Sequence, residues 1–360
     1  MGSGTQKIGY TVMTKKKIKV VAPCTDFRRW GVIAYKTVTG LKEWGYDVVL
    51  DPLYWDFNST SGSEIAVELN AYRMRSATVK EDVRLLICPT GGRWFSSFVN
   101  GTILVTMWDG SEVPQDVVSS LNTTKSIIVP SEYCMTAFSG SGVESKLYVV
   151  PFGVEDSFFG YDPNTRFNGK YIFLTCCSGS VRSSRKNVQM VIDAFEQAFP
   201  VGDDSVELWV KMAVGAEPIV SGDERVRVSV VSVPWRSMTV LHGKVNCFVS
   251  ASSCDGWDMN ALESMAHGNP LISTRFGGYR DFFDMTVGYE LKYNYVREHA
   301  DWAEGLDSML QANVSMESLV NNMREARRDD REMRERVVVR AKQYTWERYL
   351  NGLERAIEGK

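Results

Sequence analysis

VNCFVSASSCDGWDMNALESMAHGNPLIST, residues 245–274, reads as strand, loop, helix and strand. VNCFVS is a short, mostly apolar run of the kind buried on both faces of a parallel sheet. SSCDGWDM is a turn-rich connection. Asn260 to His267 has helical spacing, Gly268 stops it, and PLIST begins the next strand. A strand that returns parallel to itself through a helix is the unit of a doubly wound α/β sheet. Asp255 falls in the loop beyond the first strand's carboxyl end, where such sheets bind ligands. Glu263 is expected in the helix's first turn, with seven residues between the two acids. Free N–H groups at the helix start suit a phosphate, and the acids suit sugar hydroxyls. A plainer reading fits the same residues. Asp255-Gly256 is a turn dipeptide, and Asn260-x-x-Glu263 is a capping box with Asn260 as N-cap.

The same alternation runs outward in both directions. IKVVAP, YDVVLDPL, VRLLICP, TILVTMW, SIIVPS and KLYVVPFG read as strands of a first sheet. DSFFGYDPNTRFNGK breaks the pattern with Gly, Pro and Asn and reads as a linker. YIFLTCC, VELWVKMAV, VRVSVVSV, VNCFVSAS and PLIST form a second series. From about Asp301 the chain reads as mostly helical. YTWERYLNGLERAIE closes it as an amphipathic helix with Trp346, Tyr349, Leu350 and Leu353 on one face. The expected organisation is a tag-like or disordered segment 1–17, a Rossmann-like domain 18–160, a second one 161–340, and a terminal helix 341–360.

A chain of 360 residues is long for one hydrophobic core, which agrees with two domains. With 41 basic and 44 acidic side chains, nothing global attracts a polyanion. Basic runs at Lys15–Lys17 and Arg324–Arg340 are local exceptions. No window approaches the ~18 apolar residues of a membrane span, and no apolar leader opens the chain. Cys24, Cys88, Cys134, Cys176, Cys177, Cys247 and Cys254 form no CxxC pair and sit in or beside apolar runs. Reduced, buried thiols and a cytoplasmic location are expected. His242, His267 and His299 lack zinc-ligand spacing, so no metal site is expected.

Further loops end at the same sheet edges. SGSVRSSRKNVQ, residues 178–189, joins YIFLTCC to a helix and carries Ser180, Arg182, Arg185 and Lys186. Small residues let backbone approach a ligand, and the cations match a diphosphate. The loop is neither a P-loop nor a dinucleotide fingerprint. A basic surface loop with Ser184 or Asn187 capping the helix fits as well. In TRFGGYRD, Gly277-Gly278 permits a tight turn or close ligand approach. CTDFRRWG and TMWDG add Arg28, Arg29, Trp30, Gly31, Trp108 and Asp109 as candidates, each also readable as a cap or surface residue.

Taken in order, these pieces resemble the retaining GT-B glycosyltransferases of family 4. CDGWDMNALESMAHGNPLIST resembles that family's acid-Gly…Glu block, SVRSSRKNVQMVIDAF its Arg/Lys loop and helix, and STRFGGYRDFF its Gly-Gly segment. TMWDGSEVP, IIVPSEYCMTAFSGSGV, LYVVPFGVEDSFF and YTWERYL follow in the family's order, so the likeness covers about residues 18 to 358. It implies two facing Rossmann-like domains with the last helix crossing back to the first. It implies transfer of a sugar from a UDP-, GDP- or ADP-sugar to a hydroxyl acceptor, with retained configuration and no bound metal or cofactor. Lys186 with Arg182 or Arg185 would neutralise the donor diphosphate, Glu263 would hold the ribose, and Asp255 the transferred sugar. Ser180, Gly256, Trp257, Asp258, Met259, Asn260, Gly277 and Gly278 would line the donor. Trp30, Gly31, Trp108 and Asp109 would face the sugar or acceptor, in a pocket around Cys24–Gly31 and Thr90–Phe98. The acceptor expected by default is a glycan; nucleic acid enters only as an acceptor, through a modified base. A catalytically weak nucleotide-sugar-binding adaptor is the competing reading. The chain departs from the family at Asp255, usually Glu, at Asp258 and Asn260, and in lacking the usual first-domain His. A ligand-free cleft is expected to stand open, and Lys186→Ala and Glu263→Ala are each expected to abolish transfer while leaving the fold intact.

Overall fold

The computed structural model describes residues 15–24, 29–53, 63–73, 80–90, 95–160, 169–177, 184–214, 219–299, 305–328 and 330–360. The first sheet is built from β1 (Lys17–Ala22), β2 (Asp47–Pro52), β3 (Val83–Ile87), β4 (Ile103–Val105), β5 (Ser126–Val129) and β6 (Leu147–Val149). All pair in parallel, in the order β2-β1-β3-β4-β5-β6. The second is built from β7 (Tyr171–Cys177), β8 (Val206–Met212), β9 (Val226–Val230), β10 (Cys247–Ser250), β11 (Leu271–Ser273) and β12 (Gly288–Glu290). It too is parallel, in the order β12-β11-β10-β7-β8-β9. The continuous apolar runs are explained by burial. Every residue of β7 and of β10 is buried, as strands covered on both faces must be.

In each sheet the strand order reverses once, between β1 and β3 and between β7 and β10. Helices leave to opposite faces at such a point, and a crevice opens at the strands' carboxyl ends. The loops after β7 and β10 carry Arg185, Lys186 and Asp255. The fold itself therefore brings the two sequence motifs together.

The chain from about Asp301 is not simply helical. β13 (Tyr293–Glu298) and β14 (Met309–Val314) form an antiparallel hairpin before the helices Met316–Ala326 and Arg331–Ala341. MLQANV alternates apolar and polar from Leu310 to Val314, a strand signal only five residues long beside the charged helical stretch that follows. Its pairing is tertiary: Ala312 N donates to Ser253 O at 2.9 Å, and the buried Gln311 side chain accepts from Ser253 Oγ at 3.1 Å. Lys15 and Lys16, expected in a tag-like segment, pair with Glu354 and Glu358 at 3.0 Å, and Lys17 already belongs to β1. Residues 1–14 lie outside the described residues.

The closing helix, Trp346–Glu358, is capped by Thr345, whose Oγ1 accepts from Arg348 N. It buries Trp346, Tyr349, Leu350 and Leu353 against the first half, as its pattern predicts. Tyr349 Oη lies 2.8 Å from Thr37 Oγ1 on the helix Arg29–Glu43. Leu350 fills the space over Gly40, where a Cβ would come within 2.3 Å. The chain thus crosses between the halves twice, and the crossings touch. Val154 N donates to Tyr344 O at 2.9 Å, and Gly153 lies so close to Trp346 that a Cβ would stand 2.4 Å from its N. One apolar cluster runs through both halves, from Val32 and Phe152 by Phe158 and Trp235 to Met265. Among the described residues, no helix is long and apolar enough to cross a membrane. All seven cysteines are buried.

Candidate functional site

Asp258, not Asn260, caps the helix Met259–Ala266. Its Oδ1 accepts from Asn260 N at 3.0 Å and Ala261 N at 3.2 Å. Two acceptors compete for the same free N–H groups. The one that lies before the first helical residue in extended backbone wins. Glu263 consequently stands fifth in the helix rather than in its first turn, and the expected capping box does not form.

The loops after β7 and β10 meet in a buried ionic cluster. Arg185 Nη1 donates to Asp255 Oδ2 at 3.0 Å and to Cys254 O at 3.0 Å. Lys186 Nζ reaches Asp255 Oδ2 at 2.5 Å and Asp258 Oδ2 at 2.8 Å. Asp109, from the loop after β4, enters from the other half. Its Oδ2 pairs with Arg185 Nη2 at 2.8 Å, and its Oδ1 accepts from Gly256 N at 2.9 Å. Tyr279 Oη lies 2.7 Å from both Asp258 Oδ2 and Ser250 Oγ, and its single proton goes to the carboxylate. Two cations thus face three carboxylates. Burial works against the charge on Arg185 and Lys186, but their anionic partners outweigh it and hold both firmly protonated. Burial also acts to raise the Asp258 carboxyl, yet Lys186 and the hydrogen bonds from Lys186, Tyr279 and Ala261 N hold it down at about 2. Burial raises Asp109 despite the pull of Arg185.

A second cluster surrounds Glu263. Arg29, at the start of the first half's helix, donates to Glu263 Oε2 at 2.5 Å and Asn260 Oδ1 at 2.6 Å. Trp235 Nε1 donates to Glu263 Oε1 at 3.1 Å. His242 Nε2 stands 3.7 Å from Glu263 Oε2. Burial pushes the Glu263 carboxyl up to about 7, against Arg29 and the Trp235 hydrogen bond. Burial, then Arg29 and His267, hold the His242 imidazole well below its usual range.

The glycines are used for close backbone packing. A Cβ on Gly256 would stand 2.5 Å from Trp108 O, one on Gly277 2.4 Å from Asp255 O, and one on Gly278 2.1 Å from Gly256 O. Gly278 N donates to Asp255 O at 2.7 Å. Ser131, the cap of the helix Glu132–Gly140, donates through Oγ to Gly256 O at 2.8 Å. The Asp255–Asp258 loop is thereby clamped between the Gly-Gly turn and the first half. The cleft expected to stand open is bridged. Opposite charges on the two sides attract strongly where water is excluded.

Other candidates fall elsewhere. Trp257 is a core anchor, its ring 5.0 Å from Phe282 and 5.5 Å from Tyr344. Met259 is buried as the first helical residue. Trp30 packs edge-on against Phe152, Gly31 is buried in its helix, and Trp108 donates through Nε1 to Glu112 O. Asn187 turns through φ 48° and donates to Ala251 O instead of capping its helix by side chain. Ser180, Arg182, Arg28 and residues 91–94 of the expected acceptor pocket lie outside the described residues. Thr90 is described and bonds to Thr106 and Met107 O. Sequence reasoning missed Trp235, His242 and Tyr279, whose roles depend on contacts between separate elements. Among the described residues, no group of three or more His, Cys, Asp or Glu is placed to hold a metal.

Two facing doubly wound sheets with a closing helix returned to the first constitute the GT-B fold. Solved structures of this form include HepE of Anabaena in complex with UDP-glucose, at TM-score 0.66 and 11% identity over 96% of this chain and 100% of that one. Sucrose-phosphate synthase from Thermosynechococcus elongatus gives 0.66 and 12% over 96% and 99%. The lipopolysaccharide outer core galactosyltransferase WaaB gives 0.62 and 13% over 96% and 99%. No model of a protein family and no curated protein matches the sequence.

Proposed function

We propose that this chain is a retaining, metal-independent glycosyltransferase of family 4 type, moving a sugar from a nucleotide-sugar donor to an acceptor hydroxyl. The observation that carries the proposal is the cluster at the second sheet's switch point. Two partly buried cations from the loop after β7 meet the acid loop and helix start that follow β10. Residues 161–340 would form the donor domain and 18–160 the acceptor domain. Bound UDP-glucose in the HepE structure supports the donor class.

In this reading Arg185 and Lys186 exchange their carboxylates for the donor diphosphate. They then stabilise the charge that develops as the nucleoside diphosphate leaves. Asp255, released from them, accepts from hydroxyls of the transferred sugar, and Glu263 from those of the ribose. The acceptor attacks from the leaving-group side, and a departing phosphate oxygen takes its proton. No protein general base is required. A glycan is the acceptor class this reading favours.

Incubation with UDP-, GDP- and ADP-sugars, with and without oligosaccharide acceptors, read by product mass, tests the proposal. Transfer or slow donor hydrolysis is expected. Donor binding with neither would identify a nucleotide-sugar-binding adaptor instead. Asp109 offers a sharper check. It holds Arg185 Nη2 and Gly256 N in the manner of an anionic ligand, so a diphosphate has to displace it. Asp109→Asn is expected to tighten binding of the preferred nucleoside diphosphate about tenfold by calorimetry. Unchanged or weaker binding would show that Asp109 does not compete with a diphosphate.

A further inference from the structure

His242 is 0% exposed, and neither of its ring nitrogens has a hydrogen-bond partner. Buried polar groups of native proteins are nearly always paired, so this one calls for a reason. Its surroundings are mostly aromatic: Phe158 at 6.0 Å, Phe248 at 6.3 Å, and His267 stacked at 6.4 Å. The titratable groups that face it are Glu263, Arg29, His267, Asp258 and Lys211. Of its two nitrogens, Nε2 lies toward Glu263 Oε2, at 3.7 Å. That is slightly beyond hydrogen-bond reach. The same oxygen is held by Arg29, which belongs to the other half of the molecule.

Resting on the donor reading above, we propose that His242 is a positioning residue for Glu263, taking over its carboxylate from Arg29 when a donor ribose binds. Ribose hydroxyls and the Arg29 guanidinium compete for the same oxygen. Once Arg29 withdraws, Glu263 is a buried carboxylate with Trp235 Nε1 as its one remaining described donor. A neutral imidazole carrying its proton on Nε2 closes a gap of under an ångström and supplies the second. The orphaned state of His242 in the ligand-free molecule is then the counterpart of its use in the bound one.

The experiment is calorimetric titration of the full chain with UDP, GDP and ADP, followed by the tightest of these against its 2′-deoxy form. Wild type is expected to favour the ribonucleotide. His242→Phe is expected to weaken the ribonucleotide about tenfold and to leave the deoxynucleotide nearly unchanged. His242→Gln, which keeps an N–H donor, is expected to recover part of the loss. Thermal unfolding without nucleotide is expected to show His242→Phe at least as stable as wild type, since two unpaired buried nitrogens are removed. Equal loss for both nucleotides, or no loss, in His242→Phe and His242→Gln would overturn the proposal. Glu263→Gln separates the two levels. If it leaves ribose discrimination intact, the donor reading's ribose site is wrong, and the inference falls with it. If it abolishes discrimination while both His242 variants keep it, only the inference falls.

Discussion

If the chain is the glycosyltransferase proposed above, Lys186→Ala is expected to reduce sugar transfer by about 100- to 1,000-fold, the scale seen when a donor to developing charge is removed. It is also expected to cost about 3–5 kcal/mol of stability, because the fold does not tolerate the loss passively. Lys186 Nζ lies between Asp255 Oδ2 and Asp258 Oδ2, both buried. Without it Asp255 keeps Arg185, but Asp258 keeps only the Tyr279 hydroxyl and the helix N–H groups. This revises the expectation, drawn from sequence alone, that the variant would lose function and keep its fold. The pH dependence is specific. Asp258 is held at about 2, below the value of about 4 for an unfolded Asp. A depressed carboxyl contributes stability that is present above the unfolded value and lost as pH falls toward the folded one. Lys186 supplies much of that depression, so the gap between wild type and Lys186→Ala is widest near pH 7 and narrows from about pH 4 to 2. Denaturant unfolding at pH 7 and pH 3 measures it. A gap of equal size at both would mean that Lys186 does not set the Asp258 carboxyl.

Gly278→Ala is expected to be as damaging without touching a charge. Its Cβ would stand 2.1 Å from Gly256 O and 2.7 Å from Gly256 C. Both are backbone atoms in a loop fixed on its far side by Ser131 Oγ and Asp109. Neither side chain rotation nor a small shift relieves the contact. About 3 kcal/mol or more of destabilisation is expected, with nucleotide binding lost in whatever remains folded. Gly140→Ala is the control. A Cβ there meets nothing within 4 Å, so its effect should be small. Similar melting temperatures for the two variants would refute the clamp.

The sheets were legible in the sequence because strands buried on both faces have to be continuously apolar. YIFLTCC and VNCFVS announce themselves for that reason. The hairpin strand MLQANV alternates for only five residues, and its polar Gln311 is buried on a partner more than fifty residues away, Ser253. At the site, Asp255, Lys186 and Asp109 were legible because each lies just past a strand's carboxyl end. Their mutual pairing was not, because it depends on how the halves meet. The helix cap went to Asp258 for a local reason of one dihedral pair, which spacing alone does not resolve. Trp235 and His242 carried no signal at all: each is a single residue whose meaning comes from the helix packed against it.

The paired crossings between the halves set the mechanics of the molecule. Gly153–Val154 and Tyr344–Trp346 run in contact, bridged backbone to backbone. Two tethers side by side act as a door's hinge line, where one tether would act as a swivel. The halves keep essentially one rotation, about that line. Closing along that rotation returns the Asp109 loop to the Arg185 side and the Arg29 helix to the Glu263 side. Closing over a ligand therefore surrenders little orientational entropy, and more of the contact energy is left to hold what lies in the cleft.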